Sequence, residues 1–208
     1  MSEILLNVAD VRHHSEVNGP GVRSVVWVQG CRRDCPGCIN PHTHPHEPVK
    51  LLEPRQLGRQ LAAIDDTVGV TLSGGEPFEQ ARACALLAET VRNVGKTVMV
   101  FTGFPFDELR ESREQAVQRL LRATDLIVAG PYIQELRCDS KMWRASSNQT
   151  VHFLSGGIAE DALAQAPAIE ITADGNTLSY TGFPDQEDLT WFDQLSETLG
   201  NIAGSRNL

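Results

Sequence analysis

A chain of 208 residues, 41% hydrophobic and 22% charged, has the balance of an ordinary globular protein, long enough for one proper core and a small appendage. No apolar run reaches the length of a membrane span, and residues 1–10 lack the basic start and long apolar core of a secretory leader, so the expected location is cytoplasmic. A net charge of −9 argues against nucleic acid as the main partner.

Residues 4–14 read as a first strand and turn. Asn18-Gly19-Pro20-Gly21-Val22-Arg23 follows, where two glycines around a proline force a tight turn. Residues 24–28 are β-branched and apolar, a buried strand. That strand delivers the chain into Gly30-Cys31-Arg32-Arg33-Asp34-Cys35-Pro36-Gly37-Cys38. The cysteines therefore belong at the C-terminal end of a strand, where α/β folds place their sites. Residues 39–50 form a loop rich in proline and histidine, expected to cover the cysteine loop. Its His42, His44 and His46 alternate, but no carboxylate or cysteine completes a second ligand set. Residues 53–64 have helical spacing, with Pro54 near the start.

The strand 68–72 runs into Ser73-Gly74-Gly75-Glu76-Pro77. A Gly-Gly pair there lets backbone approach a ligand, and the Glu puts a carboxylate beside it. Residues 79–93 read as an alanine-rich helix with Cys84 as a core filler. Residues 97–102 are a strand ending in Thr102-Gly103-Phe104, 106–123 one helix, and 126–129 a strand ending in Gly130-Pro131-Tyr132. This alternation predicts a parallel sheet with right-handed crossovers, every polar or glycine turn lying on the edge that carries the cysteines. Residues 133–149 are polar and irregular, with Cys138 read as a free thiol, and 150–154 are a fifth strand or edge. After Gly156-Gly157 the character changes. Residues 168–172 and 177–181 form two alternating stretches around a turn at Asp174-Gly175-Asn176. Residues 186–199 read as an acidic amphipathic helix, and 200–208 as a frayed end. No internal repeat or low-complexity segment stands out. The expected division is a core over 1–155 and a C-terminal extension over 156–208.

The five cysteines are an odd number, and three of them fall in one loop spaced C-x3-C-x2-C. That pattern argues for metal in a reducing compartment rather than disulfides. A tight loop can aim three thiolates at one point. A [4Fe–4S] cube has four irons, so three cysteines leave one iron open, and an open position is where a metal centre does chemistry. A zinc knuckle is the alternative, with His42 or His44 as fourth ligand. Arg12, Arg23, Arg32 and Arg33 are available for a basic rim around a cleft, or simply for a solvated surface.

Taken together, the Asn-Gly-Pro-Gly turn, the cysteine loop with Asn40-Pro41, Ser73-Gly74-Gly75-Glu76-Pro77, Thr102-Gly103-Phe104, Gly130-Pro131-Tyr132 and Trp143-Arg144-Ala145-Ser146-Ser147-Asn148-Gln149 resemble the radical S-adenosylmethionine (SAM) enzymes that activate anaerobic ribonucleotide reductase. The resemblance covers residues 4–154. It implies an α/β fold, an incomplete (β/α) barrel, here with a C-terminal hairpin and helix. It implies a [4Fe–4S] cluster on Cys31, Cys35 and Cys38, with SAM chelating the fourth iron. Gly37, Cys38 and Ile39 would line the SAM site through their backbone. Gly74, Gly75 and Glu76 would hold its amino group, with Thr102 and Asn148 as further contacts.

The implied reaction is reductive cleavage of SAM to a 5′-deoxyadenosyl radical, which makes a glycyl radical on the large subunit of the reductase. A flavodoxin-like or ferredoxin-like protein would donate the electron. Ala129 and Ala145 depart from the family pattern and bear on the substrate side. Two other classes stay open: a small radical SAM enzyme with another peptide or metabolite substrate, and a non-catalytic iron–sulfur or zinc regulator. The regulator would not need Gly74-Gly75-Glu76.

Overall fold

The computed structural model describes residues 4–138, 143–165, 169–174, 177–199 and 203–207. The chain is mixed α/β. Strands β1 (Leu6–Ser15) and β2 (Arg23–Val28) are antiparallel, joined through the Asn-Gly-Pro-Gly turn. An edge strand β3 (Lys50–Leu52), which the sequence pattern did not signal, pairs with β1. Helix α1 (Pro54–Ala62), strand β4 (Gly69–Gly74), helix α2 (Ala81–Arg92) and strand β5 (Thr97–Thr102) follow. Then come α3 (Phe106–Glu111), α4 (Gln115–Arg122), β6 (Leu126–Ala129) and β7 (Thr150–Phe153). These strands form one seven-stranded sheet in the order β3-β1-β2-β4-β5-β6-β7. Its centre, β2-β4-β5-β6, is parallel, as the strand–turn–helix alternation predicts, and β7 closes the edge antiparallel.

Alternation along the parallel strands sorts the side chains by face. Val26, Val28, Val70, Leu72, Val98, Val100 and Ile127 pack with Leu57, Leu61, Leu87, Val91 and Leu120 of the helices in one large core. Cys84 sits fully buried in that core, as expected. On the opposite face Met99, Leu126 and Val128 pack with Trp143 and Ile158, and Phe101 and Phe183 lie against them.

The expected single helix over 106–123 is two helices. Ser112 leaves the helical region at φ −58°, ψ 135°, and its Oγ accepts from the Glu114 N–H at 3.2 Å. A serine hydroxyl that bonds its own backbone offers the chain an alternative to the helix ladder. The helix expected over 79–93 begins instead with a tighter 3-10 turn over Pro77–Gln80. Beyond it, α2 matches.

The C-terminal segment is a second sheet. Strands β8 (Ile169–Asp174) and β9 (Thr177–Gly182) are antiparallel, as expected, while the turn residues Gly175 and Asn176 lie outside the described residues. Helix α5 (Gln186–Leu199) matches its expected bounds. The expected frayed end is corrected: β10 (Ala203–Asn207) runs parallel to β9 and completes the order β10-β9-β8. Among the described residues no helix is long and apolar enough to cross a membrane.

Arg23 does not join a basic rim. It is fully buried at the start of β2, beside Gly69, at the end of the parallel strands away from the cysteines. Its Nε donates to Thr71 Oγ1, Nη1 to Pro20 O and Thr97 Oγ1, and Nη2 to Val70 O and Thr97 O, all at 3.0–3.1 Å. Burial lowers its pKa to about 10, partly offset by the negative charge of Asp125, so the guanidinium stays protonated at neutral pH. Five donors in a fixed fork thus tie the tight turn to β4 and β5. We expect Arg23→Met to lower stability by about 2–4 kcal/mol, because it removes five hydrogen bonds from a buried site. Arg23→Lys should recover only part of the loss, read as urea midpoints.

Candidate functional site

The cysteine loop is shaped by backbone before any ligand is considered. Gly30, at φ +107°, turns the chain out of β2, and Asp34 (φ +44°) and Gly37 (φ +71°) continue the winding. The proline- and histidine-rich loop clasps this turn from outside. Gly30 N–H donates to Thr43 O at 2.7 Å and Cys31 N–H to His44 O at 3.0 Å. His46 Nε2 lies 3.0 Å from Glu79 Oε2, and His44 Nδ1 lies 3.4 Å from Asp34 Oδ1. The histidines therefore buttress the loop through acidic partners.

From the other side the end of β4 presses in. Gly75 N–H donates to Val28 O and Glu76 N–H to Gly30 O, at 2.8 and 2.9 Å. A Cβ on Gly75 would stand 2.3 Å from Gly30 O, and one on Gly74 2.7 Å from the β2 backbone. The Gly-Gly pair thus spends its freedom on contact with the cysteine turn itself as well as on opening the cavity beside it.

That cavity, of about 330 Å³, is bordered by Cys31, Cys35, Cys38, Gly37, Ile39, Gly74, Gly75, Glu76 and Thr102. Nearly the whole expected set is brought together. Asn148 is the exception. Its Nδ2 donates to Pro131 O at 2.8 Å to hold the Gly130-Pro131 turn, and the cavity wall nearby is Ala145 and Gln149. Of the two departures from the family pattern, Ala145 borders the cavity, whereas Ala129 packs in the helix-side core.

All five cysteines are free, and the three in the loop are partly exposed. Burial pushes the Cys31 thiol up to about 11, with the charges of Glu76, Glu79 and Cys38 adding and the Arg33 N–H opposing. Burial also raises Cys38. Such thiols give up their protons to a metal rather than to water. Among the described residues, no three His, Cys, Asp or Glu side chains are grouped to hold a single metal ion. A cubane carries its irons at separate corners, and three spaced thiols on one turn suit that geometry. The donor set fits a [4Fe–4S] cluster, and the adjoining cavity lies in the size range of small-molecule sites.

Glu76 is 1% exposed and faces inward. Its Oε1 accepts from Phe78 N–H at 2.9 Å and Thr102 Oγ1 at 2.8 Å, and its Oε2 from Gly103 N–H at 2.8 Å. Burial raises its pKa from 4.5 to about 7; the bonds from Phe78, Thr102 and Gly103 and the charge of Arg33 pull the other way.

Arg33, one of the arginines available for a basic rim, borders the cavity, with its guanidinium carbon 4.6 Å from the centre of the Phe104 ring. Several other bordering residues were not expected at a site. Cys138 shares the cavity with the three loop cysteines, as do Trp143 and, from the C-terminal segment, Tyr180, Phe183, Pro184 and Leu189. A signal for the last group was present. Thr-Gly-Phe-Pro occurs twice, over 102–105 and 181–184, each time between a strand and a helix.

Comparison with known proteins agrees with this geometry. The family described as "4Fe-4S single cluster domain" matches residues 17–152. The "Anaerobic ribonucleoside-triphosphate reductase-activating protein" of Salmonella typhimurium is 34% identical over 146 residues, 66% of this chain and 92% of the relative. The protein of the same name from Escherichia coli K12 is 33% identical over 147 residues, with the same coverage. The one from enterobacteria phage T4 is 28% identical over 148 residues, 68% of this chain and 90% of the relative. The chain belongs to the family of anaerobic ribonucleoside-triphosphate reductase-activating proteins. The family match takes in the cysteine loop, the Gly-Gly-Glu turn and all strands from β2 to β6, and it ends at β7.

The raised pKa of Glu76 has a measurable consequence. Between about pH 4.5 and 7 the folded protein keeps a proton that the unfolded chain has released. The contribution of this carboxyl to stability is fully present below that window and lost as pH rises through it. In metal-free protein, the stability of wild type relative to Glu76→Gln should therefore fall as pH goes from about 5 to about 8, followed as urea midpoints.

Proposed function

We propose that this chain activates an anaerobic ribonucleotide reductase by generating a glycyl radical on its large subunit. The observation that carries the reading is one cavity bordered both by three free cysteines of a single turn and by Gly74, Gly75 and Glu76 of the turn packed against it. The enzyme is a radical SAM oxidoreductase, and it uses a [4Fe–4S] cluster and SAM. Bound together, these supply a one-electron reductive cleavage that leaves a 5′-deoxyadenosyl radical able to take a hydrogen atom from a glycine.

The protein's own part is positional. Cys31, Cys35 and Cys38 would hold the cluster. Gly37, Cys38 and Ile39 would present backbone to SAM, and Gly74 and Gly75 would let its methionyl end lie close to the sheet. Glu76 would set that end's surroundings by fixing Thr102 and the Gly103 N–H, which its carboxylate already holds. The aromatic and aliphatic walls would keep water out. A glycine loop suits the task, because a residue without a side chain can enter a narrow cavity.

The reading extends to an incomplete barrel built on the seven-stranded sheet, to a core over 1–155 with an extension over 156–208, and to a cytoplasmic enzyme supplied with electrons by a flavodoxin-like or ferredoxin-like protein. Five free cysteines support the reducing compartment. A second reading keeps the radical chemistry and changes the substrate to another peptide or a small metabolite. It rests on Ala145, which departs from the family pattern at the cavity wall.

Two measurements test the proposal. Cys31→Ala, Cys35→Ala and Cys38→Ala should each abolish iron incorporation and SAM cleavage, while Cys84→Ala and Cys138→Ala keep the iron. Full activity in any of the first three would overturn the ligand set. In anaerobic EPR, reconstituted enzyme with SAM, a reductant and the host's anaerobic reductase should give a glycyl-radical doublet. Deoxyadenosine without the doublet would favour the second reading.

A further inference from the structure

Part of the cavity's wall comes from outside the region shared with the family. Tyr180, Phe183, Pro184 and Leu189 border the cavity, yet the family match ends at residue 152. The Salmonella relative is covered over 92% of its length by only 66% of this chain. About a third of the chain is thus additional to the shared part, and some of it lines the site.

This wall is fastened in place. Asn18 Nδ2 donates to Thr181 Oγ1 at 2.9 Å, and both residues are fully buried. Arg137 Nη2 donates to Pro184 O at 2.7 Å, and Ser15 Oγ to Glu170 Oε2 at 2.8 Å. The Phe183 ring lies 5.8 Å from that of Phe101, on the sheet face built around Met99, Val128 and Trp143. Phe183 and Pro184 belong to the second Thr-Gly-Phe-Pro turn. The first puts Thr102 and Gly103 on the same cavity.

The cavity's lining is divided. The thiols and Glu76 are its polar part, and Phe101, Trp143 and Phe183, which pack in one cluster, with Leu189 its apolar, mostly aromatic part. About 330 Å³ is the low end of the range for a drug-sized ligand, so one SAM molecule fills the space and touches both parts. The charged amino-acid end of SAM belongs with the polar part, and the flat purine with the aromatic part. Trp143 adds a second observation. It is 2% exposed, sits at φ +53°, and its indole Nε1 has no hydrogen-bond partner among the described residues. A bulky residue in the left-handed region is retained only where its surroundings fix it, and a buried N–H without an acceptor fits a site completed by a ligand.

We propose that the segment beyond the family match completes the SAM site, with Phe183, Pro184 and Leu189 as the wall for the adenosine half and Trp143 as a hydrogen-bond donor to it. This rests on the reading above that the cavity takes SAM. The extension is then a part of the cofactor site and not a remote docking appendage.

The test is anaerobic equilibrium dialysis of the cluster-reconstituted full chain with labelled SAM, using adenosine and methionine as separate competitors. Phe183→Ala should weaken SAM about tenfold and adenosine by a similar factor, leaving methionine unchanged. Phe183→Leu keeps the apolar packing and should lose less. Trp191→Ala, on an exposed position of α5, should bind as wild type. Thermal melts of each variant identify any that fail to fold. Wild-type affinity in folded Phe183→Ala and Phe183→Leu would overturn the inference. So would an equal loss of methionine and adenosine, or an unchanged SAM affinity with a raised KM for the reductase, which would give the wall to the partner. If the wild type itself fails to bind SAM, the functional reading falls, and this inference with it. That outcome is distinct from variants that match a binding wild type.

Discussion

The structure turns on the contact between two glycine turns. Gly75 lies so close to Gly30 that a methyl group on it would collide with a carbonyl oxygen, and Glu76 N–H donates to that same oxygen. Parallel pairing of β2 with β4 brings the two strand ends level, and the missing side chains let the turns that follow touch. Three thiols and the Gly-Gly-Glu segment become neighbours by this contact alone. Helices on one face of the sheet hold the strands, and the other face is left to form the cavity.

Glu76 shows how such a site economises on groups. One carboxylate starts the 3-10 turn, receives the Thr102 hydroxyl and anchors the Gly103 N–H. Burial opposes its charge, and three hydrogen bonds and Arg33 support it. The result is a group whose charge is finely balanced near neutrality, beside a place where a cationic ligand is expected. A nearby positive charge would favour the carboxylate form and so couple ligand binding to the release of a proton.

Much of this was legible in the sequence. Strands β5 and β6 and helix α5 match their expected bounds, because each is bounded by glycine, proline or charged residues and carries one clear period. The cysteine loop and Gly-Gly-Glu turn were legible because both are local, with meaning fixed by spacing. The direction of Glu76, the burial of Arg23 and the retreat of Asn148 were not, since each depends on which distant carbonyl or hydroxyl meets the side chain. Least legible was the C-terminal wall. Periodicity says that 177–181 is a strand, but not that Thr181 will find Asn18 across most of the chain. The repeated Thr-Gly-Phe-Pro was a usable sign, hidden because four residues are too short to register as a repeat.

The Asn18–Thr181 bond also sets an order of assembly. Its partners are 163 residues apart, one near the start of the chain and one near its end. Contacts of such separation form late, after the local strand–helix units have closed. On the ribosome the cysteine turn and the Gly-Gly-Glu turn emerge and pair well before the residues of the C-terminal wall exist. For that interval the thiols face an uncovered sheet, open to whatever delivers iron and sulfide. When the last strands dock, the same thiols border a walled cavity and stay partly exposed. The nascent chain thus offers its thiols a wider approach than the finished enzyme does.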